Sequence, residues 1–430
     1  MVLSGTNVAL TVLVDAARRA ARAGRVDEAA RAWEQVRAAQ PDHPEASFFF
    51  GQRALLQGDA RGALPWLQRA AQAAPKDALI PLSLANAHRI LGDNEAEMAA
   101  FEAALKADPY CYPALLGKGA LFEKIGFRRQ AARAFGDALK ITPADERLSA
   151  DLRALVARAR ASVSENTAAL DAFIESKLGD LRSAHVGARL DRFDECKDAM
   201  TGRRRIYVQQ PVMLHYPRLP AIQFYDEAEF PWLRELEAAT DLIESEVSAL
   251  LNEGAQGVRP YMNHPDGVPL NEAAALNRSP DWSAYFLWDD GLRMDDHCKR
   301  CPKAAALVES LPLAKVPGFA PAVFFSILTG GAHIPPHTGV TNTRLITHLG
   351  LIVPERCAFR VGNETREWRR GKAWIFDDTI EHEAKNNSDR LRVLLIFDVW
   401  NPYLSEAERE LVCALLAAQR EYYGGDVSRV

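Results

Sequence analysis

Two histidines far apart in the chain, His337 in the stretch His333-Ile-Pro-Pro-His-Thr-Gly-Val-Thr-Asn-Thr-Arg344 and His382 in Phe376-Asp-Asp-Thr-Ile-Glu-His-Glu383, are followed ten residues later by Arg392. Neutral imidazoles suit ferrous iron, and an oxygenase must leave several coordination positions open for an oxo-acid and dioxygen. Two histidines meet that need, and the constellation reads as an iron(II) site with an anchor for its anionic co-substrate. His333 lies four residues before His337, but Pro335 and Pro336 forbid the helix that would bring both to one face, so it is not taken as a ligand. Asp377 and Asp378 are expected to make turn hydrogen bonds and to bind substrate at the rim of the pocket.

Residues this far apart need a scaffold that brings them together. From Ile206 the composition changes to aromatic and β-branched runs broken by Pro and Gly: Ala322–Leu328, His348–Val353, Ala358–Val361, Ala373–Phe376 and Arg392–Trp400. These predict strands, with a helix over Glu235–Asn252 before them and another over Glu406–Tyr422 after. Short antiparallel strands bearing two ligands about 45 residues apart suit a double-stranded β-helix, a jelly-roll of the cupin kind whose mouth holds a cofactor. Alternation along a strand puts Arg344, Ile346 and His348 on one face. The same rule predicts that Arg390 shares a face with Arg392.

The N-terminal part is organised differently. Gly24, Gly58, Gly92 and Gly126 recur every 34 residues, as do Pro41, Pro75, Pro109 and Pro143, with Trp33, Leu67, Phe101 and Phe135 between them. This is the tetratricopeptide period and looks like four such repeats. Glycine permits the turn between paired helices, and proline stops the second helix before the next repeat. No single repeat buries its apolar face alone, so the four stack into a solenoid whose concave face is expected to hold a peptide or protein partner. Leu170, Phe173, Ile174, Leu178 and Leu181 keep helical spacing and predict a helix that caps the solenoid. The expected organisation is a multidomain α + β chain: an α-solenoid over 1–150, a helical cap or linker over 151–205, and a double-stranded β-helix domain over 206–430.

The stretch from Ser326 to Pro402 resembles the aspartyl/asparaginyl β-hydroxylases, a branch of the iron(II)/2-oxoglutarate dioxygenases. Pro336-His-Thr-Gly339, Thr341-Asn342, Arg344-Leu345, His348-Leu-Gly-Leu351, Phe376-Asp-Asp378, Glu381-His-Glu383 and Asp398-Val-Trp400 carry the likeness, which extends upstream to Phe286-Leu-Trp-Asp-Asp-Gly291. In the common oxygenase arrangement a carboxylate follows the first histidine by two residues; here that position is Gly339. A two-histidine site without a carboxylate is a peculiarity of this branch. The resemblance implies His337 and His382 as metal ligands and Fe(II), 2-oxoglutarate and O2 as reactants. It puts the distal carboxylate of 2-oxoglutarate on Arg392 with Ser326, assisted by Arg390. His348 would touch the metal-proximal end of the oxo-acid, and Arg344 and Asp378 would line the substrate side. Ile346 stands where the animal enzymes usually carry arginine, which weakens the expected preference for an acidic substrate. The activity implied is hydroxylation of an Asp or Asn β-carbon in a peptide or protein. The same chemistry on a lipid acyl chain or small metabolite is the alternative, and a silent repeat scaffold the third reading.

Composition agrees with a globular chain of two or three domains: 430 residues, 48% hydrophobic and 25% charged. A net charge of −5 steers the protein toward neither nucleic acid nor a membrane surface. No run approaches eighteen apolar residues, and residues 1–23 lack the apolar core of a secretory signal, so a cytoplasmic location is expected. Six cysteines make no disulfide framework. Cys298 and Cys301, the only close pair, have no second pair to complete a zinc site and are expected to be reduced thiols or a redox-sensitive pair.

Overall fold

The computed structural model describes residues 5–267, 270 and 272–423 and divides into two compact units, Met1–Arg203 and Arg204–Val430. The first unit is helical. Four hairpins pair α1 (Gly5–Arg22) with α2 (Val26–Ala39), α3 (Pro44–Leu56) with α4 (Ala60–Ala73), α5 (Leu79–Leu91) with α6 (Asn94–Ala107), and α7 (Tyr112–Lys124) with α8 (Arg128–Leu139). Gly24, Gly58, Gly92 and Gly126 all sit at positive φ in the turns, where a side chain would be strained. Close helix approach explains a further glycine: a Cβ at Gly119 would lie 2.4 Å from the ring of Phe135. The repeated Trp33, Leu67, Phe101 and Phe135 are all buried.

α9 (Ala150–Ala184) caps the last hairpin, but with its N-terminal part: Val156 and Ala159 pack on Leu116, Phe135 and Ala138. The stripe expected to do this is largely exposed, with Leu170 at 40%, Phe173 at 54% and Leu181 at 61%. Spacing showed an amphipathic helix and misjudged which turns find a partner. α10 (Asp191–Thr201) folds back along it, tied by Lys197 to Asp171 and Glu175.

The second unit has three layers. Its large sheet contains β1 (Arg259–Pro260), β2 (Trp282–Asp289), β3 (Leu292–Arg293), β4 (Val323–Leu328), β6 (Arg344–Ile352), β9 (Ala373–Phe376) and β11 (Arg392–Trp400). Its order is β1-β2-β4-β11-β6-β9, with β3 paired to β2. The small sheet runs β5-β10-β7-β8, formed by β5 (His333–His337), β7 (Cys357–Val361), β8 (Glu364–Glu367) and β10 (His382–Asn386). Every pairing in both sheets is antiparallel. β5 carries Pro335 and Pro336 and lies at a sheet edge, where proline breaks no ladder.

Alternation on the large sheet sorts its two faces. Val393, Leu395, Phe397 and Val399 join Leu345, Leu349, Val323 and Phe325 in a core covered by α11 (Leu233–Ala238), α12 (Thr240–Asn252), α13 (Asp295–Arg300) and α14 (Pro302–Ser310). The opposite face, with Leu394, Ile396, Phe324, Ala284 and Phe376, packs against Ile334, Phe359, Val361 and Ala384 of the small sheet. The expected helix over 235–252 is broken at Ala239, where Thr240 Oγ1 turns back to donate to the carbonyl of Glu237 at 2.6 Å. α15 (Glu406–Tyr422) closes the unit, capped by a reciprocal Ser405–Glu408 box. Among the described residues no helix is long and apolar enough to cross a membrane, and all six cysteines are free.

Candidate active site

The space between the two sheets of the second unit collects the sequence-predicted residues, because β4, β6 and β11 turn their even-numbered positions toward it. Register does the assembly: Leu394 faces Ser326, Ile396 faces His348, Asp398 faces Ile346, and on the small sheet His382 stands directly opposite His337. Two residues 45 apart in sequence thereby bring their ring centroids to 4.1 Å.

Both imidazoles are held the same way. Nδ1 of His337 lies 2.8 Å from the carbonyl of Pro335, and Nδ1 of His382 lies 3.0 Å from that of Ile380. A carbonyl only accepts, so each Nδ1 carries the proton and each Nε2 keeps a free lone pair. Burial lowers the pKa of His337 and, joined by the neighbouring His337 ring, drives that of His382 well below the ordinary value, so both rings are neutral. Phe359 and Phe376 pack against His382 at 5.8 and 5.7 Å. Among the described residues no group of three His, Cys, Asp or Glu side chains is arranged to hold a metal. A metal ion here would rest on the imidazole pair.

Gly339 stands where a carboxylate would follow the first histidine, and its missing side chain leaves room for another residue. An ideal Cβ at Gly339 would fall 1.9 Å from Oδ2 of Asp378, whose backbone carbonyl also accepts from Gly339 N–H at 2.7 Å. Asp378 is therefore buried beside the first histidine's loop, at 8% exposure, rather than on the rim as expected. Among the described residues its Oδ1 has no hydrogen-bond partner, and burial lifts its pKa to about 7 against the pull of Arg344. Asp377 does form the expected turn bonds, accepting from the backbone N–H and hydroxyl of Thr379 at 3.0 and 2.6 Å.

Arg392 is 1% exposed, and among the described residues its guanidinium has no carboxylate partner; its Nε is left without any hydrogen bond. Burial lowers its pKa to about 9, which still leaves it charged at neutral pH. Its guanidinium lies over the ring of Trp368, with Cζ 4.9 Å from the ring centroid. Ser326 accepts the indole N–H of Trp282 at 3.3 Å and keeps its own hydroxyl proton available. His348 is buried, and burial with the nearby Arg392 charge keeps it neutral. Arg344, in contrast, is engaged: Nη1 lies 2.5 Å from Oδ2 of the buried Asp398.

Arg390 departs from expectation. Asn386 accepts from the N–H and hydroxyl of Ser388 and donates to the carbonyl of Arg390 at 2.8 Å, curling the chain so that β11 begins only at Arg392. Arg390 is left exposed in that bend and shares no strand face with Arg392. His333 points away from the pair and bonds Glu383 at 2.9 Å. Trp282 and Trp368 were not singled out by sequence. Trp282 lies on the regular alternation of β2 and was open to detection, whereas Trp368 follows β8 in a polar loop with no motif around it.

Both units of the chain are similar to known proteins. The model of the aspartyl/asparaginyl beta-hydroxylase family matches residues 237–402, and that of the tetratricopeptide repeat matches 14–78. The aspartyl/asparaginyl beta-hydroxylase of Mus musculus is 28% identical over 432 residues, covering 94% of this chain and 56% of its own length. The Homo sapiens protein of that name is 28% identical over 435 residues, covering 94% and 55%. The ornithine lipid ester-linked acyl 2-hydroxylase of Rhizobium tropici is 36% identical over 197 residues, 45% of this chain and 66% of its own length. The chain spans about half the length of the two mammalian relatives. With the histidine pair between its two antiparallel sheets, the chain carries an aspartyl/asparaginyl β-hydroxylase domain over residues 237–402, preceded by tetratricopeptide repeats.

Proposed function

We propose that the second unit is an iron(II)- and 2-oxoglutarate-dependent dioxygenase that hydroxylates the β-carbon of Asp or Asn in a peptide or protein, and that the solenoid holds that partner. The observation that carries this reading is the His337–His382 pair, two neutral imidazoles with free Nε2 lone pairs and, among the described residues, no third His, Cys, Asp or Glu arranged with them to hold a metal. The buried guanidinium of Arg392, which has no carboxylate partner among the described residues, supports it, because such a charge is expensive until an anion joins it. Bound iron would supply activation of dioxygen, one oxygen atom passing to the substrate C–H and the other to 2-oxoglutarate, which leaves as succinate and carbon dioxide.

The chain's own residues orient and enclose. Arg392 and the Ser326 hydroxyl receive the distal carboxylate, His348 meets the other end of the oxo-acid, and Arg344 with Asp378 faces the substrate. Arg390 takes no part in this proposal. No side-chain general base is required, so the protein's task is positioning and exclusion of water.

A second reading, oxidation of a lipid acyl chain, is favoured by one feature of the pocket. Ile346 faces Asp398 across the strands, and Arg344 is already neutralised by Asp398, so the substrate side offers little free positive charge. The two readings separate in one experiment. Purified protein with Fe(II) and 2-oxoglutarate is offered Asp- and Asn-containing peptides and, separately, acyl lipids, with succinate and the gain of one oxygen measured by mass spectrometry. Oxygen on Asp or Asn supports the first reading; oxygen on an acyl chain alone replaces it with the second; succinate from neither, with iron bound, overturns both.

A further inference from the structure

Trp368 touches two of the residues assigned to the co-substrate and is itself assigned to nothing. It is 5% exposed, with its backbone N–H donating to the carbonyl of Cys357 at 3.3 Å. Its ring lies under the Arg392 guanidinium at 4.9 Å, and its Nε1 lies 3.4 Å from Nδ1 of His348. Phe359 backs both rings, 5.2 Å from Trp368 and 5.0 Å from His348.

Each contact has a consequence. An indole N–H donates and never accepts, so Nδ1 of His348 must be the acceptor and the ring proton of the neutral imidazole must sit on Nε2. Which nitrogen of a buried histidine carries the proton is set by the partner of the other one. An aromatic face holds a guanidinium in place without neutralising it, as a carboxylate would. Arg392 thus keeps its full charge and His348 is made a donor by a single side chain.

We propose that Trp368 is a positioning residue of the oxo-acid site, its ring face seating the Arg392 guanidinium and its indole N–H fixing His348 in the Nε2–H form that donates to the co-substrate. The inference rests on the 2-oxoglutarate reading above. It explains why a large polar-edged ring is buried here, where a leucine would fill space: the anion requires two donors held in register, and the indole links them.

Trp368→Phe keeps a ring face and removes the N–H, and Trp368→Leu removes both. Two measurements follow for each variant, alongside thermal melting to show that it folds. The first is the 15N spectrum of the histidine side chains, with His348 assigned by its loss in His348→Gln; the second is calorimetric titration of 2-oxoglutarate into protein loaded with a redox-inert divalent metal. In the parent protein His348 is expected as the Nε2–H tautomer. Trp368→Phe is expected to release it to a mixture of tautomers and weaken 2-oxoglutarate by about fivefold, the worth of one hydrogen bond. Trp368→Leu is expected to weaken it by more than about tenfold. Turnover in both should recover at saturating oxo-acid, placing the effect in KM and not kcat. If the parent protein binds no 2-oxoglutarate, the co-substrate reading fails and this inference with it. If the parent binds and Trp368→Phe leaves tautomer and affinity unchanged, the inference alone fails; Trp368→Phe remains the decisive variant should Trp368→Leu not fold.

Discussion

Among the described residues of the first unit Glu97 is the one acidic or basic side chain buried, whereas the second unit buries His348, Asp377, Asp378, His382, Arg392 and Asp398. The solenoid core is built from alanine and a periodic large apolar residue, so each repeat solves the same packing problem and its surface is free to vary. The core between the sheets carries charge that no packing argument requires. Buried charges cost several kcal/mol unless paired, and Asp398 has Arg344 while Arg392 lies over an aromatic ring and has no carboxylate partner among the described residues. One unit spends its sequence on repetition and the other on a few costly polar positions, so substitutions in the two should have different signatures.

The contrast is sharpest at the histidine pair. His337→Ala or His382→Ala is expected to abolish iron binding and 2-oxoglutarate turnover while leaving thermal melting nearly unchanged, as judged by metal analysis and circular dichroism. Iron retained at full stoichiometry in both variants would remove the pair from the metal site.

In the solenoid the reverse pattern is expected. Phe135 is fully buried between α7, α8 and α9, and truncation of such a ring costs about 3–5 kcal/mol. Phe135→Ala should lower the melting of the helical unit and leave iron and 2-oxoglutarate affinities of the second unit at their parent values. A parallel loss of oxo-acid affinity would show that the two units do not work independently.

Arg392→Met separates function from stability at one position. Removing one partner of a buried charged contact costs about 2–5 kcal/mol of binding, so 2-oxoglutarate affinity should fall by well over tenfold. Without the oxo-acid the same variant should melt at the parent temperature or above it, since an uncompensated buried charge is gone. A large drop in melting of the ligand-free protein would make Arg392 a structural residue instead.

Asp378 gives a smaller, pH-dependent effect. Burial raises its folded pKa to about 7 from an ordinary 3.8, so the folded state keeps a proton that the unfolded chain has already lost between those values. The resulting stabilisation is complete below the lower value and is lost as pH rises through the upper one. Asp378→Asn should therefore gain melting temperature over the parent as pH is raised from 5 to 8 in metal-free protein. A difference independent of pH would contradict the raised pKa.

The same contrast decides how far sequence reached. The solenoid was legible because its period is carried by glycines at positive φ and by buried rings, each a local requirement. The strands bearing Ser326, His348 and Arg392 were legible from β-branched runs, and β11 begins and ends where its apolar run placed it, without the extension to Arg390 that alternation predicted. Most of what escaped depends on contacts distant in sequence, although the turn that displaces Arg390 is local. The Asn386–Ser388 bend takes Arg390 off the strand, Gly339 makes room for Asp378, and α10 folds back along the outer half of α9 while the stripe of Leu170, Phe173 and Leu181 stays largely exposed. Trp368 escaped for the same reason, since only the folded chain brings it under Arg392 and beside His348.

Ile346 provides the subtlest test, because its environment differs from what its face alone implies. It shares the inner face with Arg344 and His348, and its partner across the strands is Asp398, the carboxylate that already holds Arg344. A guanidinium introduced by Ile346→Arg would meet Asp398 first and compete with Arg344 for it. The added cation then acts by releasing Arg344 toward the substrate as much as by reaching substrate itself. Either route raises positive charge on the substrate side, so the variant should favour Asp over Asn peptides by about two- to fivefold, the scale of a partly screened ion pair. In the double variant Ile346→Arg/Asp398→Asn both cations are unpaired, and the shift toward Asp should grow if charge is the cause. Competition between matched Asp and Asn peptides measures this directly, and an unchanged ratio in both variants would show that position 346 does not set selectivity.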